Sequence, residues 1–325
     1  MTLTYRGIPY KNQDQNQGDS DPLLTKTDVP ITQKELTYRG IPYTQETESN
    51  LSIIKEKPET KTISSNKIKP NIDTNVSING ISSSSPNFSP YISPQTVVQL
   101  YQQRWTVIKA GQIYTLLQPD SFQSYWVNAT QEPTNHEWEK LLEYEANAIS
   151  KKQNAQFLNI LLGDFLSLWF PLEMLSPDQL WLNQSMEKDT TEELLTRLSL
   201  FKKTEPHIIY LMIGINDLLY SSNDLLIPTN ISQIIDQIHL SYKSAKIVVQ
   251  SILPTNTSYI LPARIRQVNH YLQKIALEKG VNYLNLYDIF RNQNGEIKPE
   301  LTTDGLHLSY KGYALWQSFF KQIKP

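Results

Sequence analysis

From residue 157 onward the chain alternates short, almost uninterrupted apolar runs with longer stretches in which apolar positions recur at helical spacing. The runs are Phe157 to Leu162, Leu180 to Leu182, Ile208 to Ile213, Lys246 to Ile252 and Tyr283 to Leu286. Runs this continuous suit strands buried on both faces, as a parallel sheet requires, with the intervening amphipathic segments as right-handed crossovers. The pattern predicts an α/β fold, a three-layer α/β/α sandwich on a five-stranded parallel sheet. Two of the crossovers carry end signals. Asp189 to Phe201 opens on Asp-Thr-Thr with Glu192 and Glu193 in its first turn, and Arg264 to Lys279 closes on Gly280. A further helix is expected from about His136 to Lys152, with Trp138, Leu141, Leu142, Tyr144, Glu145, Ala148 and Ile149 along one side. Between Val97 and Val127, Tyr, Trp, Val and Ile alternate around Gly111 and Pro119. That segment reads as a few short strands or a packed lead-in.

The N-terminal third follows different rules. Leu3 to Tyr10 and Leu36 to Tyr43 are the same eight letters, LTYRGIPY, each alternating like a short strand on either side of an Arg-Gly turn. The repeats resemble a short LTYRG domain of unknown function found mainly in cyanobacterial proteins; a pair of linear motifs without a fold of their own is the alternative. From Gln45 to about Pro94 the chain is Ser, Asn, Thr, Lys, Glu and Pro with scattered isoleucines, too little apolar surface to offset the entropy of ordering. The organisation expected is therefore two repeats over 1–44, a disordered linker over 45–95, a lead-in with short strands and a helix over 96–153, and the α/β domain over 154–325.

Composition narrows the function. A formal charge of -2 gives no field to hold nucleic acid or an anionic membrane. With no cysteine, disulfides, thiolate metal sites and a cysteine nucleophile are excluded. No stretch approaches the length of a membrane span, and Met1 to Tyr10 lacks an apolar core of the export type. A cytoplasmic protein without a metal or other cofactor is expected.

Functional groups in such sheets collect where strands end. The first run exits into Gly163-Asp164-Phe165-Leu166-Ser167, the second into Asn183-Gln184-Ser185-Met186-Glu187-Lys188-Asp189-Thr190, and the third into Gly214-Ile215-Asn216-Asp217; Asp304-Gly305-Leu306-His307 follows the fifth. In order, spacing and strand context these blocks resemble the SGNH hydrolase superfamily of GDSL-type esterases and lipases. LSLWFP at Leu166 to Pro171, QSILPT at Gln250 to Thr255 and LTTDGLHLS at Leu301 to Ser309 extend the similarity. The resemblance implies a flavodoxin-like sheet and a serine attacking an ester carbonyl, with histidine as general base and a carboxylate orienting it. It assigns His307 as the base, Asp304 as the orienting acid, and Asn216, beside Gly214, as the oxyanion donor.

Two positions depart from the pattern. Phe165 stands at the nucleophile position, where a phenyl ring offers neither a nucleophilic atom nor a proton. Lys188 stands where relatives, reading Gly-Ile-Ser-Gly-Asp-Thr, have the oxyanion glycine; its Cβ would obstruct a close approach or a positive φ. Ser167 lies two helical residues on and should point away, and Ser185 has no link to His307 in the family geometry. Asp164 and Asp217 read as turn or cap residues, His136, His207, His239 and His270 as surface or packing residues, and Trp169, Phe170 and Trp316 as core.

Three functions fit these residues. One is a catalytically impaired domain serving in binding or regulation, with the N-terminal repeats recruiting a protein partner. Another is a hydrolase using His307 and Asp304 with water or another nucleophile on an ester or acetylated carbohydrate. The third is a structural tether for the repeats.

Overall fold

The computed structural model describes residues 93–320 apart from 155 and 222, residue 323, and four short segments, 4–5, 8–9, 35–38 and 41–44. The last four are strands. β1 (Thr4–Tyr5) pairs antiparallel with β2 (Ile8–Pro9), matching Thr4 to Pro9 and Tyr5 to Ile8. Likewise, β3 (Glu35–Tyr38) pairs with β4 (Ile41–Thr44), matching Thr37 to Pro42 and Tyr38 to Ile41. The two copies of LTYRGIPY thus pair their short strands in the same register. The linker expected over 45–95 lies, as far as residue 92, outside the described residues.

The segment expected to hold short strands is helical instead. α1 (Val97–Lys109) is opened by Thr96, whose hydroxyl accepts from the Gln99 N–H. A 3-10 turn (Tyr114–Leu116), α2 (Gln123–Trp126) and α3 (Asn135–Lys152) follow. The β-branched and aromatic content of α1 imitates a strand, but its buried residues Leu100, Gln103, Arg104 and Val107 recur at helical spacing. α3 begins with a complete capping box between Thr134 and Glu137. Its buried side is Trp138, Leu141, Leu142, Glu145, Ala146 and Ile149; Tyr144, expected on that side, is half exposed.

The sheet domain runs β5 (Leu158–Gly163), α4 (Phe165–Leu168), β6 (Leu180–Asn183), α5 (Thr191–Thr196), β7 (Ile208–Met212), α6 (Ile215–Tyr220), α7 (Leu226–Ser241), β8 (Lys246–Gln250), α8 (Pro262–Lys279), β9 (Asn282–Leu284), α9 (Tyr287–Phe290) and α10 (Tyr310–Phe320). The helix predicted over 189–201 is interrupted: α5 stops at Arg197 and the chain continues as a 3-10 turn over Leu198–Phe201. α8 ends as expected on Gly280, in the left-handed conformation at φ 67°.

All five strands are parallel, in the order β6-β5-β7-β8-β9. From β5 the chain steps one way to β6, then crosses back to β7 and continues to β8 and β9. Right-handed crossovers therefore place α4 on one face of the sheet and α5, α7 and α8 on the other. α5, α7 and α8 pack side by side, while α10 covers the α4 face through Phe170, whose ring meets those of Tyr313, Trp316 and Phe320 at 5.2–5.6 Å. The reversal between β5 and β7 opens a crevice at the carboxyl ends of the strands.

The lead-in helices are joined to that crevice by a buried ion pair. Arg104 of α1 and Glu145 of α3 are both buried and form a two-pronged contact through Nε and Nη2, and the same Nη2 also donates to the Asn183 carbonyl at 2.8 Å. Among the described residues no helix is long and apolar enough to cross a membrane.

Candidate active site

The crevice is assembled from the ends of β5, β6 and β7 and from the loop that precedes α10. At the exit of β5, Asp164 is the N-cap of α4, its Oδ1 accepting from the Leu166 N–H at 3.0 Å. Burial pushes the Asp164 carboxyl well above the usual carboxylate range. The Leu166 N–H opposes this, while Asp217, Asp189 and Glu187 add to it. A four-residue helix has little stability of its own, so its carbonyls are held from outside. Asn183 Nδ2 donates to Ser167 O at 2.8 Å and to Leu168 O at 3.2 Å, and the Tyr313 hydroxyl of α10 donates to Leu166 O at 3.0 Å. The result is a fixed position for the first residue of the helix, Phe165, which is 5% exposed.

The loop after β6 is held as tightly. Arg197 forms a buried pair with Asp189, Nε to Oδ2 at 2.5 Å, and donates to Gln184 O at 2.7 Å. Desolvation raises Asp189 to about 6 against the opposing pull of Arg197. From the exit of β7, Asp217 accepts from the Thr191 backbone N–H and hydroxyl, capping α5; burial raises its carboxyl, and the Thr191 hydrogen bonds oppose the shift. Asn216, 3% exposed, directs its Nδ2 to the carbonyls of Asp189 at 2.9 Å and Glu187 at 3.3 Å. Its amide donor therefore fastens the neighbouring loop. Gly214 is the N-cap of α6 at φ 122°, a conformation that favours glycine.

Lys188 lies in the same loop with an exposed side chain. Among the described residues only Phe122 and Asn154 are non-glycine residues with positive φ. The loop thus passes position 188 in an ordinary conformation, and the positive φ that a glycine would serve is not used. Ser185 is fully buried, its hydroxyl turned to Leu161 O at 3.4 Å and its N–H to Asn183 Oδ1 at 3.1 Å. Ser167 is also buried, and its hydroxyl has no partner among the described residues.

The fourth part is the turn from Thr302 to Leu308, which closes as an isolated bridge. Asp304 folds back on it, Oδ1 accepting from the N–H groups of Leu306 at 3.0 Å and His307 at 2.8 Å, and Oδ2 meeting His307 Nδ1 at 2.7 Å. Partial burial pushes the Asp304 carboxyl up, but the His307 imidazole and the two N–H donors outweigh it and hold the group below its ordinary value. Asn256 N donates to Gly305 O at 2.7 Å and ties the turn to the segment after β8. Phe165 lies against His307, ring centres 4.9 Å apart and planes inclined by 53°.

Asp304, His307 and Phe165 are thus brought together, with Asn216 and Gly214 at the neighbouring strand exit. Sequence reasoning assigned no role to Asn183, Arg197 or Glu187. Glu187 accepts from Trp169 Nε1 at 2.8 Å. The remaining histidines sit elsewhere; His207, for one, accepts from the Leu158 N–H at 3.2 Å and packs on Phe157. Among the described residues no group of three or more His, Asp or Glu could hold a metal ion.

A doubly wound parallel sheet with an Asp–His pair beside its switch point defines the class: an α/β domain of the hydrolase type. Residues 171–315 match the GDSL-like Lipase/Acylhydrolase family. The match begins beyond β5 and Phe165. No curated protein matches the chain. Among solved structures, a chain from Streptococcus pneumonia named for platelet activating factor is 24% identical, with 57% of this chain and 92% of that one covered at a TM-score of 0.52. A GDSL-like lipase from Bacteroides thetaiotaomicron VPI-5482 is 15% identical over 56% and 97% of the two chains, TM-score 0.46. A lipase/acylhydrolase from Enterococcus faecalis is 20% identical over 51% and 94%, TM-score 0.43. The first of these shares the fold.

Proposed function

We propose that this is an SGNH-type hydrolase domain impaired in catalysis, whose crevice serves in binding or regulation. The observation that carries the reading is the Phe165 ring against His307, 4.9 Å between centres. The imidazole that would take a proton from a serine hydroxyl meets an apolar ring instead, and no acyl-enzyme can form on a phenyl group. The second departure agrees with it. The backbone N–H of Lys188 stands where an oxyanion donor is needed, and the Asn216 amide that would share that task is bonded to Glu187 O and Asp189 O. In this reading the N-terminal repeats recruit a protein partner and the crevice takes a small ester or acetylated carbohydrate without turning it over. The test is an esterase screen of the wild type beside Phe165→Ser combined with Lys188→Gly. Activity only in the double variant supports the proposal; turnover by the wild type at rates typical of serine esterases, lost in His307→Ala, overturns it.

One observation favours a second reading. The Asp304–His307 pair keeps a 2.7 Å hydrogen bond, the arrangement that makes the far ring nitrogen a base. Water would lose its proton to that nitrogen as its oxygen attacks the ester carbonyl, and the proton would pass to the departing alcohol. Without a covalent intermediate such hydrolysis should be slow. It would appear as a weak p-nitrophenyl acetate activity abolished by His307→Ala.

A further inference from the structure

Between α8 and the segment that follows β9 lies a second depression, with a volume of about 430 Å³, within the range that small-molecule sites occupy. It stands apart from Phe165 and His307. β9 is three strand positions from β5, roughly 14 Å along the hydrogen-bonding direction.

The lining of this groove is unusual in one respect: it includes no aliphatic side chain. Arg266, His270 and Gln273 come from α8 at the spacing of one helix face, and Asn285, Asp288 and Arg291 come from the opposite wall. Its apolar surface comes from the rings of Tyr283 and Tyr287 and from side-chain stems, which suits the flat face of a ring better than an acyl chain. It does present planar guanidinium and carboxamide groups, which pair with hydroxyls and anionic oxygens in fixed geometry.

The charges within it select one sign. Arg291 Nε donates to Asp288 Oδ1 at 2.7 Å, and Asn285 Nδ2 to Asp288 Oδ2 at 2.6 Å. Arg291 and Asn285 together hold the Asp288 carboxyl below its usual value, so that carboxylate is already matched. Arg266 has no carboxylate partner among the described residues. The arithmetic over the lining residues is two arginines less one aspartate, a net charge of +1 with His270 neutral. The space for Arg266 is itself provided: a Cβ at Gly295 would lie 2.9 Å from Arg266 Nη1 and 3.1 Å from the Tyr287 hydroxyl. The Tyr287 hydroxyl also donates to Gly295 O at 3.0 Å and fixes that wall.

We propose that this groove binds a small polyhydroxylated ligand with one anionic group, its anion on Arg266 and its hydroxyls on the carboxamide of Gln273. The site is independent of the fate of the crevice, and either reading of the catalytic residues leaves it standing.

Isothermal titration of the full chain with D-glucuronate, glucose 6-phosphate and glucose tests it. Both anionic sugars should bind at least about tenfold more tightly than glucose, and the stronger of the two identifies the anion as carboxylate or phosphate. Arg266→Gln should weaken that binding by about tenfold or more with an unchanged melting temperature, and His307→Ala should leave it unaltered. Absence of saturable binding by either anionic sugar overturns the proposal. So does equal binding by Arg266→Gln, or loss of binding in His307→Ala, which would place the sugar in the crevice. Gln273→Ala gives a second check: its affinity should fall for all three sugars together, because it addresses hydroxyls and not charge.

Discussion

The Phe165 ring and the His307 imidazole lie 4.9 Å apart, inclined by 53°. The two residues arrive from distant parts of the chain, one at the tip of β5 and the other before α10, and each is held by its own hydrogen bonds. The contact is therefore a property of the fold and not of two side chains that happen to drift together.

Removing that ring should uncover the imidazole. Phe165→Ala is expected to accelerate modification of His307 by diethyl pyrocarbonate several-fold, while costing about 3 kcal/mol of stability for a large buried side chain. Rate of ring modification and urea midpoint give the two readouts. An unchanged rate would mean that Phe165 does not shield His307.

Gly305 stands between Asp304 and His307 at φ 89°, and a Cβ there would come within 2.5 Å of Asn256 O. Gly305→Ala has to move either the turn or the segment after β8. Its expected cost is about 2 kcal/mol, with loss of the low-field proton resonance of the Asp304–His307 hydrogen bond. Retention of both stability and resonance would show that the turn tolerates the shift.

The buried pair of Arg104 and Glu145 should behave asymmetrically. Arg104→Met leaves a carboxylate buried without its partner and is expected to cost about 3–5 kcal/mol, whereas Arg104→Met with Glu145→Leu removes both charges and should recover most of that loss. Thermal unfolding of the two variants measures the difference. Because Arg104 also donates to Asn183 O, the single variant should loosen α4 as well, seen as faster amide exchange at Leu168.

Asp189 gives a pH dependence of known sign. Its folded value of about 6 lies above the ordinary 3.8. The stabilising contribution of its protonation is therefore complete below about pH 4, and is lost as the pH rises through 6. Urea midpoints of the wild type should carry this fall between those limits, and Asp189→Asn, which cannot titrate, should lack it. An identical profile in both would remove Asp189 as the source.

The sheet was legible because burial on both faces leaves an uninterrupted apolar signature, and each of the five runs became a strand displaced by no more than two residues at either end. The strand exits were legible for a related reason: Asp-x-x-His fixes its own geometry within one turn. What escaped notice depended on distance in sequence. Glu145 falls among apolar residues on the buried side of α3, and its explanation, Arg104, is a full helix and two turns away. Asn183 reads as an ordinary loop residue until its amide is seen on the carbonyls of α4. α1 imitates strand material because aromatic and β-branched residues raise strand propensity, while Thr96, its cap, carries no more weight in sequence than any threonine.

β5 has a further consequence, in the order of events during synthesis. It is the first strand of the sheet to leave the ribosome, yet it takes an inner place, between β6 and β7. One edge stays open until β6 has emerged and the other until Met212 has, an exposed apolar ribbon of the kind that invites mispairing. The helices made just before it, α1, α2 and α3, are already available to shelter it. A shortened chain beginning at residue 171, where the GDSL-like match starts, would be born without β5 at all, leaving β6 and β7 with a gap between them that neither can close.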